Sequence, residues 1–384
     1  MKTYINAFGG ICSAGLNPKE IISNIQKNTP KIEKLNYENK EFMLAKINEL
    51  KDLPLKTPKK FRTRTNQVLY TAILQIYSMI QNFINEFGKD RIGVVIGTTT
   101  TGVEESYKDL ENFKLDLFKE RNSLSNPANF LANLLGLESL RFGISSACTS
   151  GIKALIEAQR LLEYDLCDAV ICGGVDSLNS LTIFGFDSLE ILSSDFCLPF
   201  SKNRKGINLG EGAAVFLLSR KPSKLYIKGY ASNNDAYHIT KPNVSYSSQK
   251  DAILQALNQA NLTFDKIDYI NLHGTGTISN DDMEARLIDE LFKMIPCSST
   301  KSIMGHTLGA AGALEAMICL QILKESLEQE SVELPIHCYD KFYDENMPKI
   351  NLVCQKQKTK VYNALSLSFA FGGDNSAVIL GVKD

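Results

Sequence analysis

A chain of 384 residues, 44% of them hydrophobic, carries enough apolar surface for one large core or two closely joined halves. Its 42 Lys and Arg nearly cancel its 43 Asp and Glu, and the net charge of -1 offers no whole-molecule attraction for nucleic acid or an anionic membrane. Nine cysteines without a CxxC pair fit neither a disulfide framework nor a zinc knuckle, and point to a reducing compartment.

The opening MKTYINAFGGICSAG lacks the apolar stretch of a signal peptide, and no run of 18 apolar residues follows. The expectation is a cytoplasmic protein with no membrane span. Residues 16–65 are polar, rich in Lys and Asn, and read as helical pieces broken near Pro54 and Pro58. From Asn66 to about Phe87, apolar residues recur at helical spacing. RIGVVIGTTTTG then reads as a buried strand entering a turn of small residues, and residues 103–135 as mostly helical. FGISSACTSGIKALIEAQRLLEY predicts a short strand, a tight turn and a helix. CDAVICGGVDS and EGAAVFLLSR predict two more strands.

After Arg220 the pattern begins again. IDYINLHGTGT reads as strand and loop, KSIMGHTLGAAGALEAMICLQIL as loop and long helix, and LSLSFAFGGDNSAVILGV as loop and last strand. LGEGAAVFLL at 209–218 is like FGGDNSAVIL at 371–380. Alternating strands and helices with such a likeness predict an α/β fold of two duplicated halves, 1–220 and 221–384. Chance likeness of small-residue turns is the competing explanation.

Among the cysteines, Cys148 stands apart. It lies where a strand ends and a helix starts, between Ala147 and Thr149-Ser150-Gly151, and a helix start favours the thiolate that attacks carbonyls. The other eight read as core thiols. Of four histidines, at 238, 273, 306 and 337, His273 and His306 sit beside Gly and Thr at strand-to-loop transitions. Such imidazoles serve as proton relays or as donors to a developing oxyanion. A zinc site would need a third ligand at close spacing, as in HxxEH or HxH, and the sequence has none. Lys301 and Glu284 either orient these histidines or form a solvated pair, and spacing alone leaves both open. TPKKFRTRTNQ, with Lys59, Lys60, Arg62 and Arg64, is either a solvated face or a patch for an acidic partner.

The motifs ACTSG, DAYH, NLHGTGT, STKSIMGHTLGAAG and SFAFGG, in this order, make the chain resemble the β-ketoacyl-[acyl-carrier-protein] synthases of the elongating type I/II group, most strongly over residues 140–384. The resemblance implies a thiolase-like five-layered αβαβα fold, without metal or cofactor. It implies a homodimer or a heterodimer with a related chain, and acyl- and malonyl-loaded carrier protein as partner. Carried over, Cys148 takes the acyl group, while His273 and His306 promote malonyl decarboxylation and stabilise the enolate. The amides of Cys148 and Phe371 form the oxyanion hole. Lys301 and Glu284 are the supporting polar pair, Thr275 and Thr277 bind the pantetheine arm, and Phe371 gates the acyl pocket. Three departures point toward a specialised polyene or polyketide substrate. The loop usually written GFGGTN is AFGGDN here, Ile278 replaces a proline, and RKGINLGEGA carries Lys205 and Ile207. A thiolase would place a second cysteine in the last Gly loop, and an acyl-CoA-using starter enzyme would have Asn where His306 stands. A non-elongating chain-length partner would lack the nucleophile, and a cysteine hydrolase would waste the thioester on water.

Overall fold

The structure, a computed structural model, describes residues 2–111 and 116–383. Its centre is a ten-stranded mixed sheet. In chain order the strands are β1 (Thr3–Cys12), β2 (Ile92–Gly97), β3 (Arg141–Ile144), β4 (Ala169–Asp176) and β5 (Gly212–Ser219), then β6 (Leu225–Asn234), β7 (Tyr269–Asn271), β8 (Cys297–Ser298), β9 (Asn363–Ala370) and β10 (Asp374–Val382). Their spatial order is β8-β7-β9-β10-β6-β1-β5-β4-β2-β3. From each outer edge inward the pairing is parallel, parallel, antiparallel, antiparallel, and β1 meets β6 antiparallel in the middle. The second five strands thus repeat the connectivity of the first five.

Helices cover the sheet according to the alternation of each strand. Ile92, Val94 and Ile96 of β2 face an outer layer formed by α1 (Arg64–Ile73), α2 (Tyr77–Phe87) and α3 (Asn126–Leu135), while Val95 faces inward. In the second half, Leu365, Leu367, Ala377 and Ile379 meet the outer helices α5 (Ser247–Ala260) and α6 (Ile278–Leu291). Between the halves lie α4 (Ser150–Glu163) and α7 (Ala311–Glu328). α7 is apolar around most of its circumference because it is buried on all sides. These are the five layers that the resemblance implied. Gly151 lets the two central helices touch, since a Cβ there would lie 2.8 Å from the Ala313 Cβ. That approach brings the starts of α4 and α7 together.

Three elements differ from the sequence expectation. Residues 33–45 form a hairpin, Glu33–Tyr37 against Lys40–Ala45, turning through Glu38 and Asn39 at φ of 46° and 70°. The helix expected over 66–87 is two helices joined by a 3₁₀ turn at Leu74–Ile76. There the Gln75 side chain exchanges hydrogen bonds with the Gly10 backbone, both at 3.1 Å, and fastens the break to β1. The last segment is a hairpin of two strands, not a loop and one strand. Helices occupy most of the described part of 103–135, and 112–115 lie outside the described residues. No helix among the described residues is long and apolar enough to cross a membrane.

Candidate active site

Cys148 is buried at the junction of β3 with α4, and the backbone before it is strained: Ala147 has φ of 50°. His306 reaches it from the loop before α7, and Cys148 Sγ lies 3.1 Å from His306 Nε2. His273, on the loop after β7, stands edge-on to His306 with ring centroids 5.7 Å apart. The sulfur and one nitrogen of each ring lie within 4.8 Å of one another. All three groups are buried. Residues 33 to 158 positions apart therefore converge on one point.

Hydrogen bonds fix which ring nitrogens carry protons. His306 Nδ1 accepts the backbone N–H of Leu308 at 3.1 Å, so a neutral ring holds its proton on Nε2, aimed at Cys148. His273 Nδ1 faces the Lys301 ammonium at 3.5 Å, a group with donors only, so its proton is also on Nε2. Burial, then the charge of Lys301, holds both imidazoles well below the usual histidine range and hence neutral. A cation coordinated by Cys148, His273 and His306 would need both Nε2 atoms unprotonated and would sit close to an ammonium. The donor set fits two N–H donors better than a metal centre.

Burial pushes the Cys148 thiol up to about 12, with Lys301 the strongest opposing influence. The helix start favours the thiolate, as the sequence suggests, but desolvation outweighs it.

Lys301 and Glu284 are both buried in this site, but they do not pair with each other. Lys301 forms an ion pair with Glu315, on the first turns of α7, and also donates to the carbonyl of His273. Burial raises Glu315 to about 7 against the pull of Lys301. Glu284 instead accepts the backbone N–H groups of His273 and Gly274, each at 2.7 Å, and burial raises it to about 7. Glu315 escaped the sequence reading; its signal is a lone carboxylate in the apolar run GALEAMICLQIL. Asp176 escaped it too. It accepts from Thr98, Thr99 and Thr100 and from the Gly309 N–H at 2.7 Å, fastening the GTTTTG turn to the His306 loop.

Thr275 and Thr277 line the cavity in front of Cys148, their hydroxyls 2.9 Å apart. Phe371 lines it too, stacked on Phe186 with centroids 5.9 Å apart. His238 lies outside this cluster, in an exposed loop where Nδ1 accepts the N–H groups of Thr240 and Lys241. His337 is buried between Ser299 N and Pro199 O as a structural brace.

The basic patch is smaller than its sequence. Lys59 and Lys60 are exposed, but Arg64 is half-buried in an ion pair with Glu211, and Arg62 folds back onto the carbonyls of Leu55 and Thr57. A buried carboxylate at 211 needed the nearest arginine, which leaves Lys59, Lys60 and Arg62 exposed.

Comparison with known proteins follows the same lines. The family described as beta-ketoacyl synthase matches twice, its N-terminal domain over residues 5–223 and its C-terminal domain over 225–334. The 3-oxoacyl-[acyl-carrier-protein] synthase 2 of Synechocystis sp. is 34% identical over 76% of this chain and 75% of its own. The tetracenomycin polyketide synthase ketoacyl synthase alpha subunit of Streptomyces glaucescens is 30% identical over 76% of this chain and 68% of its own. Among solved structures, a chain from a ketosynthase in complex with its chain length factor, of Xenorhabdus doucetiae, matches with a TM-score of 0.93 and 35% identity, covering 100% of this chain and 98% of that one.

Proposed function

The chain belongs to the β-ketoacyl synthase family of condensing acyltransferases, and from that premise we propose that Cys148, His273 and His306 carry out a decarboxylative Claisen condensation on carrier-protein thioesters. The single observation that carries this reading is the convergence of one thiol and two neutral Nε2–H donors in a buried pocket.

In the first half-reaction, the Cys148 sulfur attacks the acyl thioester. The amides of Cys148 and Phe371 receive the oxyanion, and the pantetheine thiol leaves with the proton that Cys148 gives up. In the second, malonyl thioester binds with its carbonyl oxygen toward His273 and His306. The bond to the carboxylate breaks, carbon dioxide departs, and the electron pair becomes an enolate held by the two N–H donors. The enolate carbon attacks the Cys148 thioester, the C–S bond breaks, and the thiolate regains a proton. Neutral donors suit this step, because they stabilise charge that appears only as the bond breaks. Lys301 keeps His273 in the needed tautomer, Glu315 balances that ammonium, and Glu284 holds the loop. Thr275 and Thr277 line the way in for the pantetheine arm.

The relatives favour carrier-protein substrates, and the Xenorhabdus complex favours pairing with a chain-length partner over a homodimer, in a specialised polyene or polyketide pathway. In such a pair this chain is the condensing member, since it holds the thiol and both imidazoles. The repeat of strand pairing also supports the division near residue 220. Acyl transfer and malonyl decarboxylation, assayed separately with purified carrier proteins, test the reading. Cys148→Ala should abolish the acyl-enzyme seen by mass spectrometry. His306→Ala should slow decarboxylation by about 10²–10³, the usual effect of losing one oxyanion donor. A normal condensation rate in either variant overturns it.

A further inference from the structure

The turn that carries Phe371 stands on two feet, and both are tied to the junction that carries Cys148. On the β9 side, Ser368 Oγ donates to the Cys148 carbonyl at 3.1 Å. On the β10 side, Asp374 accepts from Thr149 Oγ1 at 3.0 Å and is ion-paired with Lys153, in the second turn of α4. The pair is largely shielded, with 14% of the Asp374 side chain and 27% of the Lys153 side chain exposed. The top of the turn meets an exposed loop: Gly372 N donates to Ile239 O at 2.7 Å and Asp235 N to Gly373 O at 2.8 Å. Gly373, at φ of 75°, is confined, because a Cβ there would lie 2.0 Å from Asp235 Oδ1. A Cβ at Gly372 would meet nothing within 4 Å, but its backbone is held by Gly372 N to Ile239 O and by Asn234 Nδ2 to Gly372 O at 2.8 Å. The top of the turn is thus held by neutral hydrogen bonds to a neighbouring loop, while charge fixes its foot at residue 374.

We propose that Asp374, Lys153 and Thr149 form a positioning latch that limits how far the Phe371 turn swings from Phe186, and so selects which acyl groups reach Cys148. This rests on the synthase reading for the word acyl, but the limit on access to the sulfur does not. Opening the β10 foot would separate two shielded charges and leave each without its partner. With the latch closed, motion is confined to the few residues between Ala370 and Gly373. With it broken, β10 can fray and the opening widens.

The experiment compares alkylation of Cys148 by iodoacetamide and by its N-dodecyl derivative, read by peptide mass spectrometry at that residue. Asp374→Asn keeps an acceptor for Thr149 and removes the charge, and Lys153→Met keeps the aliphatic stem. Each should raise the long-to-short rate ratio by about tenfold, the order of coupling between touching residues. The charge-swapped pair Lys153→Asp with Asp374→Lys should return the ratio toward the wild-type value. An unchanged ratio in both single variants, or no recovery in the swapped pair, overturns the latch; a merely structural loss would slow or speed both reagents alike. Acyl-carrier donors of increasing length, run beside the alkylation, separate the two readings. If the ratio moves but no donor acylates the wild-type protein, the latch stands and the synthase reading falls.

Discussion

Burial drives the Cys148 thiol up to about 12 even though Lys301 and a helix start pull the other way. The sulfur is therefore a thiol at rest. We expect the alkylation rate of Cys148 by iodoacetamide to rise about tenfold per pH unit between pH 7 and 9, following the thiolate fraction. A plateau below pH 8 would mean that the local field stabilises the anion instead. The convergence of Cys148, His273 and His306 was legible in the sequence, because a thiol and two imidazoles among Gly, Ser, Thr and Ala imply tight turns with open access. Their supports were not. Lys301 pairs with a glutamate 14 residues away, across the loop and into α7, a distance that no local pattern encodes. Asp374, met as an unexplained charge in the loop, turned out to be neutralised by a lysine more than two hundred residues earlier.

Among the elements, α6 shows how one side chain holds a loop. Glu284 projects from it to cap two consecutive amides, and its carboxyl is raised from 4.5 to about 7 by burial. Because the folded state binds that proton more tightly than the unfolded chain, its contribution is full below pH 4.5 and fades as pH rises through 7. Glu284→Gln, which lacks the titration, should flatten the fall in thermal midpoint between pH 5 and 8. It should also cost about 1–3 kcal/mol at pH 5, where one buried amide loses its acceptor. An identical slope in variant and wild type would rule this out. The elements most clearly written in the sequence were the long buried apolar runs, β2, β4, β5 and α7. The hairpin at 33–45 was hidden because its turn uses Glu-Asn in place of the Asn-Gly that announces such turns. The break between α1 and α2 was hidden because it depends on Gln75 meeting β1, a tertiary contact inside an otherwise unbroken helical pattern.

Over the whole molecule, positive and negative charge balance, so any contact with a charged partner has to rest on local patches. The proposed contact keeps Lys59, Lys60 and the exposed Arg62, while Arg64 serves the fold. Reversing both lysines to Glu should weaken carrier-protein binding several-fold at low salt, with the effect fading toward 0.5 M as screening shortens to a few ångströms. Equal affinities at low salt would return the patch to ordinary surface. The duplication was legible as a repeat in the sequence, and its five layers through the family resemblance, but the point of that repeat is visible only in space. Two like halves set two like junctions face to face, with strained residues at Ala147 and Leu308. Had the halves been separate copies of one polypeptide, each junction would carry the same side chain, thiol against thiol or imidazole against imidazole. Joined in a single chain, they are free to differ, and the protein can place a thiol on one side of its own near-symmetry and an imidazole on the other.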